Sequence, residues 1–329
     1  MLDLIFSIFS YLIIFISVIY LSRKLKFYDY PNRRKLHKNK ITNTSGIALY
    51  IYLGIMVSTN EFSYEIETII VVGSAVVITG FLDDRTNLTP GVKLVLIFLP
   101  VSYLILNGYQ MENLGTYEYL NRIDLGKFGI IFTFLSVGLL LNSYNYIDGI
   151  DGLLSSITIT GILYLIFLET DQQIIKLLQY FIIALSINLI FNFLSGSNYF
   201  KTFLGDSGSL FIGFFMSFLI IFMFKFRDFH PAYLIWVCWY PVYDFLYVTF
   251  YRISKGVKFY KADKKHLHHI IIEKFKKSHL KSCILISILN IFIITLGYLT
   301  AHYVGKIYSL VMFILLFVVF WFIRYRFQN

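Results

Sequence analysis

Long apolar runs alternate with short polar islands along the whole 329-residue chain. Taking about 20 residues as the length of a helix that crosses a bilayer, and somewhat fewer as tolerable, the runs predict eleven spans. They fall near 2–22, 46–60, 68–82, 92–107, 128–141, 152–168, 174–191, 209–224, 232–251, 281–300 and 307–323. The expected fold is an all-α polytopic integral membrane protein, one embedded domain over 1–329. The first run has no basic leader and no small-residue cleavage site, so it is expected to be kept as a span. An odd number of spans puts the termini on opposite faces.

Composition narrows the picture. With 57% hydrophobic and 15% charged residues and a mean hydropathy of +0.69, the chain is far from an ordinary soluble domain. Its two cysteines, Cys238 and Cys283, sit in or beside apolar runs and imply neither a disulfide framework nor a thiolate metal site. The net charge of +10 belongs to one surface, because the loops that alternate spans assign to one face carry 23 of the 29 Lys and Arg residues. Short loops rich in Lys and Arg stay cytoplasmic, which predicts the amino terminus outside and the carboxyl terminus inside. No P-loop, dinucleotide fingerprint or nucleic-acid motif accompanies the basicity, so nucleic acid is not an expected partner and anionic membrane lipid is.

Two spans separate each polar island from the next, so all five share the basic face. They are YPNRRKLHKNK (30–40), GFLDDRTNLTPGVK (80–93), NSYNYIDGIDGL (142–153), FLGDSGS (203–209) and KADKKHLHH (261–269), the last preceded by Asp244 and Arg252. Asp83, Asp84, Asp148, Asp151 and Asp206 supply hard oxygen donors without thiolates, which suits magnesium or manganese better than zinc. Adjacent Asp83 and Asp84 diverge by about 100° on a helix, so they either divide their roles or leave the helix. Lys93 either snorkels to the interface or neutralises a phosphate. Asp206, at the mouth of a span in GDSGS, suits a metal ligand, part of a phosphate cradle or a helix cap. His266, His268 and His269, with Lys261, Lys264 and Lys265, suit hydrogen bonds to phosphate oxygens or a solvated basic loop; their spacing is a weak zinc signal.

In this order the islands resemble the polyprenyl-phosphate N-acetylhexosamine-1-phosphate transferases, the WecA, TagO and MraY superfamily, and the HLHH run resembles its WecA-like branch. The motifs are DD with a lysine (Asp83, Asp84, Lys93), NxxNxxDGxDGL (Asn142–Leu153), GDxGS (Gly205–Ser209) and HxHH (His266–His269), with RRKLH (33–37) in the first loop. The chain departs from the family's pattern where Ser45 precedes Gly46 and where no glutamine follows Lys93. The resemblance implies a bacterial inner-membrane enzyme that transfers N-acetylhexosamine 1-phosphate from a UDP-sugar, UDP-GlcNAc above all, to undecaprenyl phosphate on the cytoplasmic face. UMP would be released and cell-surface polysaccharide synthesis, such as that of O-antigen or cell wall, begun. It implies catalytic roles for Asp83, Asp84 and Lys93, a magnesium site at Asp206 with Asn145, and substrate contacts at Asn142, Asn145, Asp148, Asp151, His266, His268 and His269. Oligomeric state, a homodimer included, stays open. A membrane prenyltransferase would show a wider DxxxD-type spacing, and an ion-coupled transporter would place acids near mid-membrane, where only Asp244 stands.

Overall fold

The computed structural model describes residues 2–31, 39–194, 199–257, 265–276 and 278–328. Each apolar run becomes helix: α1 (Leu2–Lys24), α2 (Ser45–Ser58), α3 (Tyr64–Thr86), α4 (Pro90–Leu106), α5 (Phe128–Ile147), α6 (Leu153–Leu168), α7 (Gln172–Leu194) and α8 (Gly205–Phe226). There follow α9 (Pro231–Leu234), a 3-10 turn (Ile235–Cys238), α10 (Trp239–Ser254), α11 (Leu267–Phe275), α12 (His279–Leu299) with a π-helical turn (Thr300–Val304), and α13 (Lys306–Gln328). Among the described residues, seven helices are long and apolar enough to cross a membrane: α1, α3, α5, α7, α8, α12 with its π-turn, and α13. The other expected spans are shorter. α2, α4 and α6 have 14, 17 and 16 residues, and the run expected at 232–251 is divided into α9, the 3-10 turn and α10.

The expectation of an all-α chain needs one correction. Residues between α4 and α5 form an antiparallel hairpin of β1 (Asn113–Tyr117) and β2 (Asn121–Asp124), with Tyr117 opposite Asn121 and an irregularity between Asn113 and Thr116. His230, just before α9, holds it through a 3.0 Å contact of Nε2 with the Thr116 carbonyl, and its ring meets Tyr117 edge-on. The strand residues alternate too briefly to mark a sheet within a loop.

α8 lies at the centre. Of the seven long helices it is the most enclosed, with 78% of its apolar window inside the protein, as expected of a helix apolar on every side. Small residues bring its neighbours onto its backbone. A Cβ on Gly46 of α2 would lie 2.2 Å from the Gly208 Cα, and one on Gly80 of α3 would lie 2.4 Å from the Asp206 carbonyl oxygen. α2 and α3 therefore converge on the first turn of α8. The ends of α3 and α5 and the starts of α2, α4, α6, α8 and α12 gather there, so the polar ends of many helices share one location.

Candidate active site

Where those ends meet, a cavity of about 500 Å³ opens, bordered by residues from most of the islands. The chain before α2 is held by strand-like pairing with the chain before α8: the Phe203 amide donates to the Thr42 carbonyl at 2.8 Å, and the Ser45 and Gly46 amides donate to the Phe203 and Leu204 carbonyls at 3.2 Å each. That pairing places Asn43 and Ser45 on the cavity wall beside Phe203, Gly205 and Asp206. Gly46 and Gly208 meet backbone to backbone. The second glycine of GDSGS therefore serves helix packing, and not the phosphate cradle considered from sequence.

Asp83 and Asp84 both remain on α3 and divide their roles. Asp83 accepts from the Leu88 amide at 2.8 Å and pairs with Lys93 at 2.7 Å. Asp84 points the other way, its Oδ2 accepting from the Asp206 backbone amide at 3.0 Å. That amide is one of the unpaired donors at a helix start, so Asp84 caps α8. Lys93, in the first turn of α4, bridges to Asp206 Oδ2 at 3.0 Å. Asn145 donates from Nδ2 to Asp206 Oδ1 at 2.9 Å and to Ser209 Oγ at 2.8 Å. It is therefore the donor end of the Asn145 amide that faces Asp206.

α5 runs six residues beyond the expected end at 141, so Asn142 and Asn145 are helical. Asn142 is exposed and returns its amide to the Gly138 carbonyl at 2.7 Å; it does not line the cavity. Asp148, Gly149, Asp151 and Gly152 do. The chain turns into α6 at Gly152, whose φ of +76° suits glycine. Burial, then the nearby Asp206 and Asp151 carboxylates, pushes Asp148 up to about 7. Burial also acts on Asp151, but hydrogen bonds from His279 and Lys201 outweigh it and hold that carboxyl below its usual range. The Lys201 Nζ stands 2.6 Å and the His279 Nδ1 3.3 Å from Asp151 Oδ2.

The histidine run is anchored away from the aspartates. Asp244, fully buried in α10, takes His266 Nδ1 at 2.7 Å, the Leu267 amide at 2.9 Å and Arg324 Nη1 of α13 at 2.5 Å. Asp244 thus caps α11 and ties the histidines to α13. His268 is fully buried with its Nε2 where a Cβ on Gly149 would stand, 2.3 Å away, and neither ring nitrogen has a partner among the described residues. Burial, and then the nearby His269 and His266, keep it neutral, well below the ordinary histidine range. His269 borders the cavity. RRKLH at 33–37, Lys261 and Lys264 lie outside the described residues.

Asp29, Asn43, Asn188, Asn192, Lys201 and His279 also line the cavity and were not singled out from sequence. Lys201 stands four residues before the GDSGS run, outside any of the polar islands. His279 carried the signal of a histidine directly after a Ser278 N-cap, at the start of an apolar run.

The family profile described as glycosyl transferase family 4 matches residues 66–224, the segment holding the paired aspartates, NSYNYIDGIDGL and GDSGS. The matched segment is 159 of the chain's 329 residues. Similar proteins extend the likeness over most of the chain's length. An Escherichia coli O157:H7 protein named undecaprenyl-phosphate alpha-N-acetylglucosaminyl 1-phosphate transferase is 25% identical over 91% of this chain and 84% of its own. A Yersinia pestis protein of that name is 27% identical over 76% and 70%. A Bacillus subtilis (strain 168) protein, named probable undecaprenyl-phosphate N-acetylglucosaminyl 1-phosphate transferase, is 28% identical over 86% and 80%.

Proposed function

We propose that the protein is a member of glycosyl transferase family 4 and a phosphotransferase that moves N-acetylglucosamine 1-phosphate from UDP-N-acetylglucosamine to undecaprenyl phosphate, releasing UMP, at the cytoplasmic face of a bacterial inner membrane. The names of the relatives support the sugar phosphate and the lipid. The observation that carries the reading is the convergence of Asp84, Asp148, Asp151, Asp206 and Lys201 on one cavity at the helix ends, with Lys93 bridging Asp83 and Asp206. Such a place suits a lipid whose tail lies among the helices and whose phosphate meets a water-borne nucleotide. An acceptor phosphate oxygen attacks the phosphorus that bears the sugar, the bond from that phosphorus to the bridging oxygen breaks, and UMP departs with that oxygen. An acceptor phosphate has its second pKa near 6 and is largely dianionic at pH 7, so no side chain need remove a proton.

A magnesium ion, or manganese in its place, fits this reading. The donors are carboxylates, with Cys238 and Cys283 buried and free. Among the described residues no three His, Cys, Asp or Glu side chains converge as a cage, and magnesium needs only one or two protein oxygens when phosphates and water complete its shell. Asp206 would hold it, with Asn145 orienting that carboxylate. When bound it neutralises diphosphate charge. Lys93 neutralises phosphate oxygens from the side of α4, while Asp84 keeps the first turn of α8, and so Asp206, in place. Lys201 and His279 fix Asp151 toward the nucleotide, and His269 faces the same cavity.

The leaving group tests the reaction. With UDP-N-acetylglucosamine labelled on the phosphorus next to the sugar, label is expected in the lipid product, with UMP accumulating and added UMP driving the reaction backwards. Label retained in water as UDP while sugar reaches the lipid would mean attack at the sugar carbon, and the proposal would fall.

A further inference from the structure

Each carboxylate oxygen of Asp206 is engaged by a different side chain. Its Oδ1 is taken by the Asn145 amide and its Oδ2 by the Lys93 ammonium, at 2.9 and 3.0 Å. These two holds differ in kind. Asn145 is itself tied to Ser209 Oγ at 2.8 Å, on α8 three residues beyond Asp206, so it is braced on a short side chain. Lys93 reaches from α4 on a flexible four-carbon stem. It has a second partner in Asp83 at 2.7 Å, and can leave Asp206 without becoming an unpaired charge.

We propose that Lys93 is a stand-in cation: in the ligand-free protein its ammonium occupies the place on Asp206 that a divalent metal takes, and metal binding frees it to meet substrate phosphate. The inference rests on the reading of Asp206 as the metal ligand. An ammonium and a dication on one carboxylate oxygen weaken each other's hold, because like charges a few ångströms apart repel strongly even where the effective dielectric is about 20. Metal and Lys93 therefore oppose each other when the protein is empty. A diphosphate reverses the sign of that coupling, since it offers the displaced ammonium new anionic oxygens while binding the same metal. Cation and nucleotide sugar then favour each other's binding by the same factor.

Manganese serves as the probe, its free concentration read by electron paramagnetic resonance with metal-stripped, full-length protein in detergent and no nucleotide. Lys93→Met is expected to bind Mn²⁺ at least about tenfold more tightly than the native protein, a difference of about 1.4 kcal/mol, and Asp206→Asn is expected to abolish binding in both backgrounds. Binding by Lys93→Met that is no tighter than native, including none by either protein, overturns the proposal. A measurement without substitution guards against a misfolded variant. Amine-selective acylation of the native protein, mapped by mass spectrometry, is expected to rise several-fold at Lys93 when Mg²⁺ is added and to stay level at Lys201. Unchanged or reduced acylation of Lys93 overturns the proposal equally. A protein that delivers labelled phosphorus to lipid but fails both measurements keeps its proposed reaction and loses this role for Lys93.

Discussion

Burial in the turn between α5 and α6, followed by the charges of Asp206 and Asp151, pushes Asp148 up to about 7, and no described cation is paired with it. A carboxyl whose folded pKa is raised contributes stability that is full below its unfolded pKa, near 4, and is lost as pH rises through the folded value. Asp148→Asn should therefore gain on the native protein between pH 4 and 8, by an amount on the order of a few kcal/mol at the upper end. Thermal unfolding of the detergent-solubilised, metal-free pair across that range checks it; a gap that narrows with rising pH would be the wrong sign. At this scale the sequence was legible where chemistry is clustered. Asp83, Asp84, Asp206 and Asn145 stand in short runs whose residue types betray a polar site, and all four meet around Lys93 and the start of α8. Lys201 and His279 stood alone in the chain, and their meaning comes from Asp151, 50 and 128 positions away. Only folding brings such partners together.

Helix packing, more than side-chain chemistry, sets where these residues sit. The Gly46 to Gly208 approach lets α2 lie on the first turn of α8, and any side chain there must push the two backbones apart. Gly46→Ala is expected to cost about 1–3 kcal/mol or more by overpacking and to depress activity with it, because the displaced turn carries Asp206. Gly54→Ala, on the same helix but with nothing within 4 Å of its Cβ, should be neutral or gain up to about 1 kcal/mol from helix propensity. Equal thermal stability for the two variants would show that the close approach is not what holds α2. Element types followed the apolar periodicity closely, whereas their ends did not. α5 continues through the polar residues Asn142 and Asn145 because one helix face can stay in contact with α8 while another turns to water. The hairpin between α4 and α5 went unread because its pairing is short and is secured by His230, more than a hundred residues later.

Taken as one molecule, the protein gathers its polar helix ends around the cavity and sets the hairpin at the far end of α4. The proposed orientation puts the cavity in the cytoplasm, in keeping with the basic loops. With Cys238 and Cys283 replaced, a cysteine at exposed Thr86 should resist an impermeant thiol reagent on intact cells and react once they are permeabilised. One at Tyr119, 74% exposed on the hairpin, should react at once. The reverse pattern would invert the topology. The joining of the histidine run to α13 was not legible in the sequence, because Arg324 lies 80 residues after Asp244. That interval is also a matter of time. At roughly 5–20 residues per second of synthesis, Asp244 waits some seconds, about 4 to 16, for the arginine that neutralises it. For most of that wait Asp244 has only His266 and the Leu267 amide as partners, and the segment bearing His266, His268 and His269 lacks its final tether. A newly made chain thus gains the last tether of its histidine segment only when α13 arrives.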